Sequence, residues 1–214
     1  MNSNIPSILL MLCYSAFLVS CTAQISGENK EVSNNNQHTM NEKFDVDAFK
    51  QKIAQDPGYT GYYLEDSTHI QQFGDDESGY VEKSIPPTGH FIEYQHYTPN
   101  GNLDNKGQIY KRGTFKKSIW MEYDKNGEIT NQHNHDTPFK YSFEKVLKYL
   151  RKQNIDITKK GNDLHRTIEN GQPVWYVIWN SGEFEEDYYI MKNIQIDGVT
   201  GSVTEMEDSY WMDN

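Results

Sequence analysis

Cysteine is all but absent from this 214-residue chain: there are two, Cys13 and Cys21, both near its start. Residues 22–214 therefore offer no disulfide, no thiolate nucleophile and no cysteine metal ligand. Positive charge is also short. Twenty Lys and Arg face 31 Asp and Glu, a net charge of −11, which argues against nucleic acid and anionic lipid surfaces, since both select basic patches. Long apolar runs are missing, because the main one lies between Ile8 and Val19 and a membrane-spanning helix needs about 20 residues. Gly-x-Ser-x-Gly, phosphate-loop and His-Glu-x-x-His patterns are absent too, which leaves only a Ser/His/Asp arrangement assembled in space.

What the start does contain is a leader. Residues 1–20 carry no acidic or basic side chain and hold Ile8-Leu9-Leu10-Met11-Leu12 and Ala16-Phe17-Leu18-Val19, the length of a signal-peptide core. The run ends in Leu18-Val19-Ser20-Cys21, which resembles the lipobox of bacterial lipoproteins. The resemblance implies cleavage before Cys21, lipidation of Cys21 with fatty acyl chains such as palmitate, and attachment to a membrane of the cell envelope. Two or more such chains make a stable anchor. Thr22, where a retention signal would place Asp, implies by the same resemblance the outer membrane, facing the periplasm.

Residues 21–42 are polar and almost free of core-forming side chains, so they read as a flexible tether. The remainder is rich in aromatics, with 15 Tyr, nine Phe and four Trp in the chain, and a core of aromatics on strands follows. Val46, Phe49 and Ile53 at helical spacing predict a short helix, capped by Asp45 and ended by Pro57-Gly58. Tyr59 to Leu64 and Phe91 to Tyr97 read as strands.

Two segments then match. Tyr94-Gln-His-Tyr97-Thr-Pro-Asn100-Gly101-Asn-Leu103 is followed, 26 residues on, by Trp120-Met-Glu-Tyr123-Asp-Lys-Asn126-Gly127-Glu-Ile129. A fixed period marks a repeat, and Asn-Gly predicts left-handed conformations in a tight hairpin turn. Gly113, Phe115, Trp120, Tyr123, Asn126, Gly127 and Ile129 resemble the MORN-like repeats of antitoxin-type bacterial proteins, over about residues 90–130. With two copies, the repeats must pack on another part of the chain.

Towards the end, Thr137-Pro138 or Ser142 starts a helix in which Phe143, Val146, Leu147 and Leu150 form an apolar stripe. Strands are expected at Leu164 to Glu169, Val174 to Trp179 and Tyr188 to Ile196, with turns at Asn170-Gly171 and Asn180-Ser181-Gly182. Trp175, Val177, Ile194, Ile196, Asp197, Thr200, Gly201 and Val203 resemble the PepSY domain, over about residues 139–206. The resemblance implies a binding or inhibitory module. The residue types of the Asp197–Gly201 turn are equally those of ordinary turn chemistry. The expected organisation is thus a leader (1–20), a tether (21–42), a β-rich region with MORN-like repeats (43–136) and a PepSY-like domain (137–214). The class is α+β, antiparallel β-hairpin repeats followed by a helix packed on an antiparallel sheet.

Few constellations suggest chemistry. His133 and His135 would share one face of a strand, but zinc needs three or four ligands. Asp124-Lys-Asn126-Gly127-Glu128 lacks the spacing of a calcium loop. Acidic runs at Asp75-Asp76-Glu77, Glu183–Asp187 and Glu205–Asp208 are solvated faces or a surface that attracts a basic partner. No catalytic residue, metal or cofactor is assigned. The first expectation is a non-catalytic envelope protein that binds or inhibits a protein partner, of peptidase-inhibitor or toxin-immunity type. A second reading is a glycan- or peptidoglycan-binding lipoprotein, and a third a metal-dependent hydrolase resting on His133 and His135. Cys21→Ser is expected to abolish incorporation of labelled palmitate and to release the protein from the membrane fraction; label retained by the variant removes the lipoprotein assignment.

Overall fold

The computed structural model describes residues 42–113, 115–185 and 187–212. The leader, Cys21 and the tether up to residue 41 lie outside the described residues. The class is α+β, two antiparallel sheets with two helices.

Helix α1 (Val46–Gln55) forms where Val46, Phe49 and Ile53 share a side, and Asp45 caps it by accepting the Ala48 N–H at 2.9 Å. Seven strands follow, β1 (Gly61–Tyr63), β2 (His69–Asp75), β3 (Gly79–Ile85), β4 (Phe91–Tyr97), β5 (Leu103–Tyr110), β6 (Lys116–Tyr123) and β7 (Ile129–Asn134). Each pairs antiparallel with the next in chain order. The aromatic runs supply β1 and β4. Strands β2 and β3 mix Gln, Asp, Glu and Lys with few apolar residues, so periodicity does not reveal them.

The two matched segments form hairpins of one construction. Gly101 and Gly127 take φ of 76° and 83°. Their N–H groups donate to the carbonyls of Thr98 (2.8 Å) and Asp124 (3.0 Å). A bulge falls just before Tyr97 in one and Tyr123 in the other. The expectation of left-handed Asn and Gly together is corrected here, since neither Asn100 nor Asn126 has a positive φ. A longer turn closed by a bulge leaves the left-handed step to glycine alone. The two-residue form occurs instead at Asn170-Gly171, with φ of 50° and 81°.

Helix α2 (Phe143–Lys152) takes Ser142 as its N-cap residue. The alternative start at Thr137-Pro138 is not used. The Phe139 N–H bonds to the Asp136 carbonyl and the Tyr141 N–H to the Gly198 carbonyl, which keeps that stretch out of the helix. Phe143, Val146, Leu147 and Leu150 are all buried on a second sheet. Its strands are β8 (Asp163–Glu169), β9 (Gln172–Glu185), β10 (Tyr188–Asp197) and β11 (Val203–Glu205), ordered β11-β10-β9-β8, and β12 (Ser209–Trp211) pairs with the first part of β10. The turn expected at Asn180-Ser181-Gly182 is a correction: β9 runs on to Glu185, which pairs with Tyr188. Gly182, at φ 85°, sits in a bulge. The Ser181 hydroxyl donates to the Ile190 carbonyl (2.9 Å) and the Asn180 N–H to Asn162 Oδ1 (2.8 Å), so hydrogen bonds carry the strand through.

One core spans both sheets. Tyr110 and Phe115 flank the β5–β6 connection and cluster with Phe143, Leu147 and Leu150 of α2 and with Leu164, Trp175, Val177 and Ile194 of the second sheet. A smaller cluster joins Phe44 and Phe49 to Tyr80, Tyr97 and Leu103. On the other face of the first sheet the Trp120 indole lies across Gly107, donates to the Gln108 carbonyl at 3.1 Å and stacks on Tyr94. A Cβ at residue 107 would sit 2.5 Å from that indole. Gly107→Ala is therefore expected to destabilise the fold by about 1–3 kcal/mol through overpacking; an unshifted midpoint in chemical denaturation refutes this.

Candidate binding groove

Cross-strand register lines up four polar side chains. Gln72, Glu82, Gln95 and Lys106 lie opposite one another across β2, β3, β4 and β5. Side chains alternate along a strand, so Glu82 shares its face with Tyr80 and Gln95 with Tyr97. That face meets α1. Gln72 and Glu82 of that row floor a groove of about 350 Å³ beside α1, walled by Phe44, Lys52, Tyr62 and Tyr97, with Glu42 at its edge. The volume lies within the range of about 300–1,000 Å³ usual for ligand sites.

Hydrogen bonds order the floor. The Tyr59 hydroxyl donates to Gln72 Oε1 (2.8 Å), and Gln72 Nε2 donates to Glu82 Oε2 (2.7 Å). Glu42 accepts from Gln95 Nε2 (2.6 Å) and from Lys106 Nζ (2.9 Å), so the last residue assigned to the tether is tied to the sheet. Burial opposes the charge of Lys106, yet the Glu42 carboxylate wins and raises its pKa above the usual lysine value. Lys52 donates to the Tyr59 hydroxyl (3.2 Å), and its ammonium lies 5.2 Å and 4.9 Å from the ring centres of Tyr59 and Tyr62.

Two acceptors are left over. Half-buried Glu82 has no ion-pair partner among the described residues and takes one neutral hydrogen bond. Tyr97 is 3 % exposed, and its hydroxyl bonds to no described residue. No fully enclosed side-chain polar atom among the described residues lacks a partner, so that hydroxyl opens on the groove it lines. Burial, then the charges of Glu82 and Glu42, raise its pKa far above the usual tyrosine value.

A second surface lies at the far end of the second sheet, where Phe184 (59 %), Tyr188 (39 %) and Tyr210 (62 %) are exposed. Tyr189 and Trp211 pack behind them, 5.7 Å apart. Beside it a cleft of about 430 Å³ is lined by Tyr149, Trp179, Ile194 and Met206, with Lys192 bridged to Asp208 at 2.6 Å.

No family model, curated protein or solved structure matches this chain. Among the described residues no helix is long and apolar enough to cross a membrane.

The residues singled out from the sequence are placed as follows. Cys21 lies outside the described residues. The rings of His133 and His135 are 4.4 Å apart, and no group of three or more His, Cys, Asp or Glu able to hold a metal occurs among the described residues. Asp197 Oδ1 accepts the N–H groups of Thr200 (2.7 Å) and Val199 (2.8 Å), which holds its carboxyl below the usual range. Asp124 does the same for Asn126 and Glu128, and Asp75 for Glu77 and Ser78. Asp76 pairs with Lys50. Much of the acidic surface therefore organises turns and ion pairs. The sequence reading missed Glu42, Gln72, Glu82 and Tyr97 as a group. The Gly79-Tyr80-Val81 start and the Pro86-Pro87 end of β3 were its only local signals.

His135 is half-buried beside Trp120. Burial, then the proximity of His133, Lys116 and Arg166, push its pKa from 6.5 down to about 4. The folded chain keeps it neutral while the unfolded chain takes up a proton, so stability is full above about pH 6.5 and falls as pH drops towards 4. Urea melts across that window are expected to show a loss of roughly 1–3 kcal/mol that His135→Gln removes; a wild-type profile no steeper than the variant's contradicts this.

Proposed function

We propose that this chain is a non-catalytic binding protein of the cell envelope, lipid-anchored through Cys21 in the outer membrane and facing the periplasm, which captures a basic protein partner. The observation that carries the reading is the groove beside α1. Its floor is ordered by hydrogen bonds, yet the Glu82 carboxylate and the Tyr97 hydroxyl remain unmatched by any described cation or donor beyond Gln72. Such a surface has acceptors to offer and selects a donor-rich, positively charged group. The net charge of −11 steers such partners from a distance.

The inhibitory or immunity-type role rests on two resemblances, that of residues 139–206 to PepSY domains and that of residues 90–130 to MORN-like repeats. A specific observation favours a second reading, a glycan-binding lipoprotein: Phe184, Tyr188 and Tyr210 are exposed, the last two with ring centres 6.4 Å apart, and exposed aromatic rings pack against sugar rings.

One experiment separates them. Crosslinked pull-down from envelope extract with the purified full-length protein is expected to enrich one basic envelope protein. Its recovery should fall as ionic strength rises from about 0.05 to 0.3 M, over which the Debye length shortens. Enrichment of wall fragments alone moves the assignment to glycan binding, and no enrichment above background removes the protein-binding function.

A further inference from the structure

We infer that the groove beside α1 is a seat for one arginine side chain of the protein partner, with Glu82 and Tyr97 receiving the guanidinium. The inference rests on the binding reading above and names what the groove takes. Two independent observations meet there. Glu82 is a half-buried carboxylate without a counter-ion among the described residues, its Oε2 engaged only by Gln72. Tyr97, 3 % exposed, lines the same groove, and its hydroxyl has no partner among the described residues.

The chemistry selects a guanidinium. The walls are aromatic, and Lys52 shows that they accept a cation, because its ammonium already lies over Tyr59 and Tyr62. That point charge fills the ammonium position and leaves Glu82 unpaired. A planar group with five donors stacks on a ring and bonds a carboxylate and a hydroxyl together, which a lysine cannot do. A bound metal is the weaker fit: Glu42 has both oxygens engaged by Gln95 and Lys106, leaving too few free ligands for one. Charge favours a cationic ligand, since Asp45 also lines the groove in a chain of net charge −11, and the binding function proposed above makes a protein its source.

The test is titration of the purified full-length protein with acetyl-Gly-Arg-Gly-amide and with its citrulline counterpart, which keeps the shape and loses the charge. The arginine peptide is expected to bind about tenfold more tightly than the citrulline peptide, the effect of one charge-assisted hydrogen bond. Glu82→Gln should lower its affinity about tenfold while the circular dichroism and the thermal midpoint hold, since the amide still accepts from Gln72. Tyr97→Phe removes a hydroxyl that no described residue uses, so it should weaken the peptide and spare the fold. Equal binding of the two peptides, or full affinity in Glu82→Gln, overturns the seat. Free L-arginine binding as tightly as the peptide overturns the protein source. A captured envelope partner whose retention ignores Glu82→Gln overturns the seat and leaves the binding function standing. Arginine-peptide binding that depends on Glu82, without any captured partner, keeps the seat and removes the function.

Discussion

The Arg166 guanidinium holds the two sheets together. It rises from β8 among the rings of Phe115, Phe139 and Trp175, with its carbon 4.5–5.2 Å from their centres. It donates to the Lys116 carbonyl of β6 (2.5 Å) and to Asp136 (2.8 Å). The side chain is 5 % exposed. Burying a charge this deeply is costly unless it is paired and covered, and here Nη2 bonds both acceptors while three rings cover the guanidinium. Phe115 and Phe139, from either side of β6 and β7, therefore belong to one cluster with Trp175 of the second sheet.

Pinning the first sheet at that end has a consequence at the other. Its inner face is apolar at both extremes. Phe91 and Tyr110 turn towards α2, while Tyr80, Tyr97 and Leu103 turn towards α1. Between them the rows Gln72–Glu82–Gln95–Lys106 and Ser84–Glu93–Gln108 cross the strands. Neither helix reaches far enough to cover polar side chains that would need partners if buried. The groove is the remainder of two packing solutions, and its polarity follows from what the two helices leave bare.

The distribution of acid across the molecule has the same logic. Asp75, Asp124 and Asp197 each face backbone N–H groups in a reversal of the chain, a local arrangement that fixes both the turn and the carboxylate. In each of these residues one carboxylate oxygen, Oδ1, is committed to the turn. Glu82 differs in being carried by a strand, away from any turn, with one neutral donor. Acidity that is spoken for and acidity that is free are indistinguishable in composition and separate only in the fold.

Much was legible in the chain by itself because it depends on neighbours in sequence. Helix α1 and its Asp45 cap, the buried stripe of α2, the strand Phe91–Tyr97, the Asn170-Gly171 hairpin and the Asp197 turn all follow from local spacing and side-chain hydrogen bonds. What depends on partners distant in sequence was not. Whether Asn180–Gly182 turns or bulges is decided by Ile190 and Asn162 across the sheet. Whether Arg166 is solvated or buried is decided by Phe115, Phe139 and Asp136. The groove is the extreme case, since Gln72, Glu82 and Tyr97 come together only through strand register, and Glu42 joins them only through Gln95 and Lys106 across the sheet. Register is set when one face of a sheet finds its core. The sequence alone determined the elements and the acidic character of the chain, whereas tertiary packing decided which carboxylates meet a cation and which, like Glu82, meet only a neutral donor, because only packing determines which charges meet.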